Sequence, residues 1–285
     1  MPTAPENTIA FQGEPGAYSD LSCREVFPAM TPLACATFED SFAAVASGAA
    51  KYAMIPIENS LAGRVADNHH LLPESGLFIV GEHFHRVKHQ LLGVPGATLA
   101  GLKKVLSHPQ ALGQCRKTLR ALGVVAESYV DTAGAARRIA ERGDPAIGAI
   151  ASALAGEIHG LAVLKADLED AAHNTTRFLI MARQTVDPPA EVPCMTTFVF
   201  EVRNVPAALY KALGGFATNG VNMTKLESYQ LGGSFTATQF YADVEGRPSD
   251  RNVQLALEEL DFFTHRVKIL GVYPRHPDRG KYAVG

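Results

Sequence analysis

Short apolar runs alternate with helix-length amphipathic stretches through the first two-thirds of the chain, an order that few folds accommodate. Residues 8–12, 52–57, 103–106, 124–130 and 146–150 read as strands. Residues 18–27 and 133–140 read as helices, as do the stretch carrying Phe38, Phe42 and Val45 and the one whose face carries Leu112, Cys115, Leu119 and Leu122. Strands separated by helices pair in parallel, because a parallel neighbour needs a long crossover connection. The pattern predicts α/β layers on a largely parallel sheet. In such sheets ligands sit at the carboxyl ends of strands, where the chain turns into a helix. Polar motifs at strand ends therefore carry the most weight.

The alternation stops at residues 184–193, where Pro188, Pro189 and Pro193 exclude a helix or a central strand. This stretch reads as an interdomain linker. Beyond it come a strand (196–202), a helix (206–218), two strands (221–229 and 234–244) joined by Leu231-Gly232-Gly233, a helix (249–263) and a strand (266–272). The order β-α-β-β-α-β is that of the ferredoxin-like fold. Its strands carry Phe198, Phe200, Phe235 and Phe240, which a lone unit is expected to leave partly exposed, so pairing with a second copy is expected. Two domains also suit 285 residues at about 150 residues per domain.

Composition narrows the function classes. With 47% hydrophobic and 19% charged residues the chain can build cores and is not disordered. A formal net charge of -3 leaves no basic footprint for nucleic acid or anionic lipid. The four cysteines (Cys23, Cys35, Cys115, Cys194) are scattered, which argues against a disulfide framework and a thiolate zinc site. The first ten residues lack a basic n-region and an apolar h-region, and no apolar run reaches the roughly 20 residues of a membrane span. A cytoplasmic protein is expected.

Four polar motifs fall at strand ends. Gly13-Glu14-Pro15-Gly16-Ala17-Tyr18-Ser19 is either a tight strand-to-helix turn or a cradle of backbone N–H groups for a small anion. Glu58-Asn59-Ser60 closes a buried strand, either as a helix cap or as a cluster of ligand donors. Ser107-His108-Pro109-Gln110 suits a helix start, with Ser107 as N-cap and Pro109 in the first turn; Gln110 and Gln114 then share a face. Such a helix end suits a carboxylate ligand without a metal, although it also describes an ordinary capped helix. Asn174-Thr175-Thr176-Arg177-Phe178 starts an apolar run, either as an edge strand with a surface ion pair or as a site where Arg177 binds a carboxylate in bidentate fashion.

His83 and His85 share a strand face, with His89 nearby and His69-His70 adjacent to one another. No third ligand at fixed spacing accompanies them, so no metal and no cofactor are expected. There is no G-x-S-x-G elbow and no cysteine with a visible histidine partner, which removes nucleophilic hydrolysis.

Together these segments resemble the prephenate dehydratase family, in family order over residues 8–183. The segment Gly220-Val221-Asn222-Met223-Thr224-Lys225-Leu226-Glu227-Ser228 is similar to the signature of the ACT regulatory domain that usually follows. The resemblance implies a two-lobed, periplasmic-binding-protein-like catalytic domain (8–183), a linker (184–194) and a ferredoxin-like βαββαβ ACT domain (195–275). The first lobe would take residues 8–80 and return near 160–183, and the second would hold 81–160. The implied reaction is decarboxylating dehydration of prephenate to phenylpyruvate, water and carbon dioxide in phenylalanine biosynthesis. Arogenate is the alternative substrate, and a non-catalytic amino-acid-sensing binding protein the alternative of another class. Thr176 aligns with the family's essential threonine. Glu58, Asn59, Ser60, Ser107, Gln114, Thr175, Arg177 and Phe178 are the implied substrate-binding set. Homodimers or homotetramers are usual in the family, and phenylalanine binds between paired ACT domains and inhibits. The implied effector residues here are Ala207, Ala208, Leu209, Gly220, Val221, Asn222, Met223, Glu227 and Ser228. Three departures stand out: His69-His70 where Leu-Asp is common, Ala207 where Gly is usual, and Tyr229-Gln230 in place of Arg-Pro. The first bears on the entrance or the substrate; the other two fall in the effector segments and predict weakened phenylalanine inhibition.

Overall fold

The computed structural model describes residues 4–171, 173–203, 205–230 and 237–282. Contacts divide the chain into two compact units: Met1–Ala66 with His83–Phe178, and Asp67–Glu82 with Leu179–Gly285.

The first unit carries two sheets. In chain order its elements begin with β1 (Thr8–Gln12), α1 (Tyr18–Val26), β2 (Thr31–Cys35), α2 (Phe38–Ala46), β3 (Tyr52–Asn59) and β4 (Gly63–Arg64). After α3 (Ala66–Glu74), which from Asp67 on belongs to the second unit, and β5 (Phe78–Arg86) come β6 (Gln90–Gly93), β7 (Lys104–Ser107), α4 (Pro109–Gln114), α5 (Arg116–Leu122), β8 (Val125–Ser128), α6 (Thr132–Arg142), β9 (Ile147–Ala151), α7 (Ala153–Ile158), β10 (Ala162–Lys165) and β11 (Thr175–Ala182). The first sheet has the order β2-β1-β3-β11-β5, with β4 on β3; the second has the order β10-β6-β9-β7-β8. These are the two lobes, and the unit boundary passes through β5 and β11. The lobe crossings lie at residues 87–89 and 166–174 rather than near 80 and 160, because β5 belongs to the first sheet.

Both sheets are mixed rather than largely parallel. β1 runs parallel to β2 and β3, and β7 parallel to β8 and β9, whereas β6 is antiparallel to both β9 and β10. β6 enters its sheet directly from β5, with no helix to turn it parallel. The single helix expected to carry Leu112 through Leu122 is two, broken at Cys115 (φ -115, ψ 18). Asp170 is the cause: its N–H donates to the Gln114 carbonyl at 2.7 Å, and its carboxylate accepts from the Lys117 N–H at 3.1 Å. Those bonds take the place of the helical ladder at the break.

The second unit contains β12 (Cys194–Val202), α8 (Ala208–Thr218), β13 (Met223–Gln230), β14 (Ala237–Glu245), α9 (Arg251–Phe263) and β15 (Thr264–Pro274). Its sheet order, β13-β14-β12-β15, is ferredoxin-like as expected. The Leu231-Gly232-Gly233 connection, with Ser234 and Phe235, lies outside the described residues. Phe198, Phe200 and Phe240 are 0%, 0% and 6% exposed, in one core with Ala212 and Phe216 of α8 and Ala256 and Leu260 of α9. The expectation that these phenylalanines need a second copy to cover them is therefore corrected: the two helices cover them. Other sheet residues meet residues 67–82 of the same unit. A Cβ on Gly271 would fall 2.2 Å from the Ile79 carbonyl oxygen, so only glycine permits this approach. Glu82 receives a bidentate pair of bonds from Arg279 at 2.8 and 2.9 Å.

Candidate active site

A cavity of about 210 Å³ opens in the first unit. Asn59 reaches it from the end of β3, and Thr176 from the second position of β11. Val87 and His89 come from the crossing after β5, and Tyr18 from the first position of α1. The second lobe contributes His108, Gln110, Ala111 and Gln114 around α4, and Asp131 and Thr132 at the start of α6. No lysine or arginine is among these residues. The first turns of α1, α4 and α6 all contribute to the lining, with the Asp131 carboxylate capping α6 through the Gly134 N–H.

The turn before α1 needs its glycines. Gly13 and Gly16 adopt φ of 121° and 91°, and a Cβ on Gly16 would lie 2.7 Å from the Ala155 Cα. The Ser152 hydroxyl donates to the Gly16 carbonyl at 2.5 Å, and Arg137 grips Glu14 through two bonds of 2.7 and 2.9 Å. Of the two readings of this motif the tight turn holds: it is a joint that fastens α1 to the second lobe, while Tyr18, the motif's sixth residue, faces the cavity.

A chain of neutral hydrogen bonds crosses the site. Asn59 Nδ2 donates to Thr176 Oγ1 at 3.0 Å and to Asn174 Oδ1 at 2.8 Å. Asn59 Oδ1 accepts from the backbone N–H groups of Leu61 and Ala62, both at 3.0 Å, which fixes the amide's orientation. Asn174 Nδ2 donates to Gln114 Oε1 at 2.9 Å, and the same oxygen lies 2.8 Å from His89 Nε2. His89 Nδ1 lies 2.7 Å from the Tyr18 hydroxyl. Burial pulls the His89 pKa below its usual value, so the ring is neutral at neutral pH. Gln114 Oε1 can only accept; His89 Nε2 therefore donates to it, and Nδ1 accepts from Tyr18. Burial also holds the Tyr18 phenol protonated. At the far end Thr176 Oγ1 accepts from Asn59 and keeps its own hydrogen to offer.

Of the expected substrate-binding set, only Asn59 and Gln114 join Thr176 at the cavity. Arg177 follows Thr176 on a strand, so its side chain takes the opposite face. There it is 3% exposed, with Nη1 donating to Glu58 at 3.0 Å. Two members of the implied substrate-binding set, Arg177 and Glu58, therefore meet each other. Ser60 donates to the His173 carbonyl and accepts from the Thr175 N–H, tying β3 to the start of β11. Phe178 is core, 1% exposed. Ser107 is not the N-cap of α4; it ends β7, fully buried, and donates to the Ile150 carbonyl at 2.6 Å. Pro109 disfavours helical geometry in the residue before it, so His108 (ψ 140) caps instead, accepting from the Gln110 N–H at 3.3 Å. Sequence reasoning overlooked Asp131 and Thr132, although they sit at a strand-to-helix junction, and set His89 aside with the other histidines.

The histidine pair has a partner that spacing did not show. Glu25, near the end of α1, places Oε2 at 3.0 Å from His83 Nε2 and 2.9 Å from His85 Nδ1. These bonds pull the Glu25 pKa down to about 2.

The implied effector residues lie in the second unit. Ala207 caps α8 in the left-handed region (φ 62, ψ 12), and Ala208 and Leu209 form the first turn. Gly220, Val221, Asn222 and Met223 follow the other end of α8, about 16 Å away at the usual helical rise. Asn222 donates to Glu245 at 3.2 Å, Glu227 pairs with Lys225 at 2.9 Å, and Ser228 lies in β13 opposite Phe240. Residues 207–209 and 220–223 thus lie at opposite ends of α8. Two of the departures from the family pattern touch: the Tyr229 hydroxyl bonds His69 Nδ1, and the His70 ring stands 5.6 Å from Tyr229 edge to face.

The architecture is therefore that of a two-lobed α/β protein with a polar cavity at strand ends and helix starts, lined by neutral amides and hydroxyls and by Asp131. The prephenate dehydratase family model matches residues 9–186, and the chain belongs to that family. A bifunctional N-acyl-homoserine lactone acylase/prephenate dehydratase of Komagataeibacter europaeus is 56% identical over 277 residues, 97% of this chain and 99% of that one. Arogenate dehydratase/prephenate dehydratase 1 of Arabidopsis thaliana, a chloroplastic protein, is 40% identical over 93% of this chain and 71% of its own length. The solved prephenate dehydratase of Arthrobacter aurescens in complex with L-Phe superposes with a TM-score of 0.86 at 29% identity, covering 94% of this chain and 90% of that one. The expected periplasmic-binding-protein-like lobes agree with this likeness.

Proposed function

We propose that the cavity catalyses the decarboxylating dehydration of prephenate, with Thr176 at the departing hydroxyl. The supporting observation is the Thr176 hydroxyl itself, held by Asn59 at 3.0 Å with its hydrogen left to offer. In the reaction the bond between ring and carboxylate breaks and carbon dioxide leaves. The electron pair moves through the ring, and the opposite carbon loses its hydroxyl, which takes one proton and departs as water. Aromatisation drives the step, so the protein has to position the ring and stabilise the leaving oxygen. A bond from Thr176 Oγ–H to that oxygen does the second. The substrate's carboxylates find helix N-termini and the Gln110 amide instead of a cationic side chain. A protein that only binds an amino acid has no use for a hydroxyl held in this way.

Arogenate carries an amino group where prephenate has a ketone, and the Arabidopsis relative is named for both substrates. We assign this chain the same pair, with prephenate the main substrate. A second reading follows from the Komagataeibacter relative, whose name includes acylase activity. We read the four-stranded unit as an ACT domain through which phenylalanine inhibits; the L-Phe complex of the Arthrobacter protein supports this. Phenylpyruvate formed from prephenate, phenylalanine formed from arogenate, and fatty acid released from an N-acyl-homoserine lactone, measured with one preparation of purified protein, test these assignments. Turnover of the lactone alone would reject the dehydratase reading.

A further inference from the structure

We propose that Glu25, His83 and His85 form a binding site for a zinc-type divalent ion, separate from the cavity described above. Two imidazole nitrogens of different kinds, Nε2 of His83 and Nδ1 of His85, converge on one carboxylate oxygen. All three donor atoms lie within 4.8 Å of one another. Ligands held at about 2.0–2.1 Å in a tetrahedral zinc site stand about 3.3 Å apart. Two of the three spacings, from Glu25 to each histidine at 3.0 and 2.9 Å, reach that value with shifts of a few tenths of an ångström, and the third stays within 4.8 Å. Two histidines with one carboxylate are a donor set that zinc favours, and they leave a fourth position for water.

The surroundings fit a built site. His85 is 5% exposed and held in place, its ring 5.9 Å from that of Tyr18. The His83 and Glu25 side chains are 15% and 44% exposed, which gives an ion a way in. Two elements supply the donors, the end of α1 and the last residues of β5, so a bound ion ties helix to strand. It also steadies Tyr18, whose hydroxyl bonds His89 in the cavity. The proposal does not rest on the reaction assigned to that cavity. It amends the sequence expectation of no ligand set, since the missing third donor is Glu25, 58 residues before His83.

The test uses the tag-free full chain, stripped with chelator and dialysed against zinc chloride, followed by metal analysis and a thermal melt. Cobalt substitution adds a visible spectrum that reports four-coordinate geometry. Glu25→Gln and His83→Gln each remove one donor at the surface while keeping side-chain volume. The expected result is one ion per chain in the wild type, a higher melting temperature with zinc, and affinity weakened about tenfold or more in each variant. No retained ion in the wild type, equal retention in both variants, or loss in only one of them would overturn the three-donor site.

Discussion

Replacing Thr176 with valine keeps the side chain's shape and removes only the hydroxyl. The rest of the site tolerates this, because Asn59 retains Asn174 as acceptor at 2.8 Å and two backbone donors on its own oxygen. One hydrogen bond is lost, about 1 kcal/mol of stability. Catalysis loses more if the hydroxyl acts on the leaving oxygen: a positioned proton donor contributes about 10²- to 10⁴-fold, or roughly 2.7–5.4 kcal/mol of barrier. The turnover number should fall by that factor while the Michaelis constant changes little, since the carboxylates are held by helix ends elsewhere in the cavity. Thr176→Ser keeps a hydroxyl at the same atom and should stay within about tenfold of wild type. Phenylpyruvate absorbance in alkali, followed against prephenate concentration, separates the two constants. A valine variant whose turnover stays within about threefold of wild type would show that Thr176 takes no part in the chemical step.

Other expectations follow from the same geometry. Arg177→Lys should lower stability by about 1.5–3 kcal/mol through the weakened bond to Glu58, read by urea unfolding, with the Michaelis constant nearly unchanged; a large rise in that constant with normal stability would place Arg177 at the substrate after all. His89 has its folded pKa below the ordinary 6.5, so the unfolded chain takes up a proton first as pH falls. Stability should therefore be complete above that value and decline below it, an effect absent from His89→Gln in melts across pH. Ala207→Gly removes a left-handed alanine and should raise stability by about 1 kcal/mol in thermal melts, and phenylalanine should inhibit this variant at lower concentration.

The strand–helix alternation, the proline-rich linker and the ferredoxin-like order are legible in the sequence because each rests on local periodicity or on residues that break it. So is the placing of polar motifs at strand ends, as the positions of Asn59, Gln114 and Thr176 show. A strand's period of two says that Thr176 and Arg177 face opposite ways; which of them meets the cavity depends on what covers each face of β11. Phe198, Phe200 and Phe240 read as exposed until α8 and α9 close over them. Residues 67–80, expected in the first lobe, share the second unit with the four-stranded sheet, where His69 meets Tyr229. Glu25 joins His83 and His85 only because α1 ends beside β5. Local pattern sets the element and the side chain's alternation. Partners far apart in sequence are set by packing between elements, which buries one face and leaves the other to solvent or ligand.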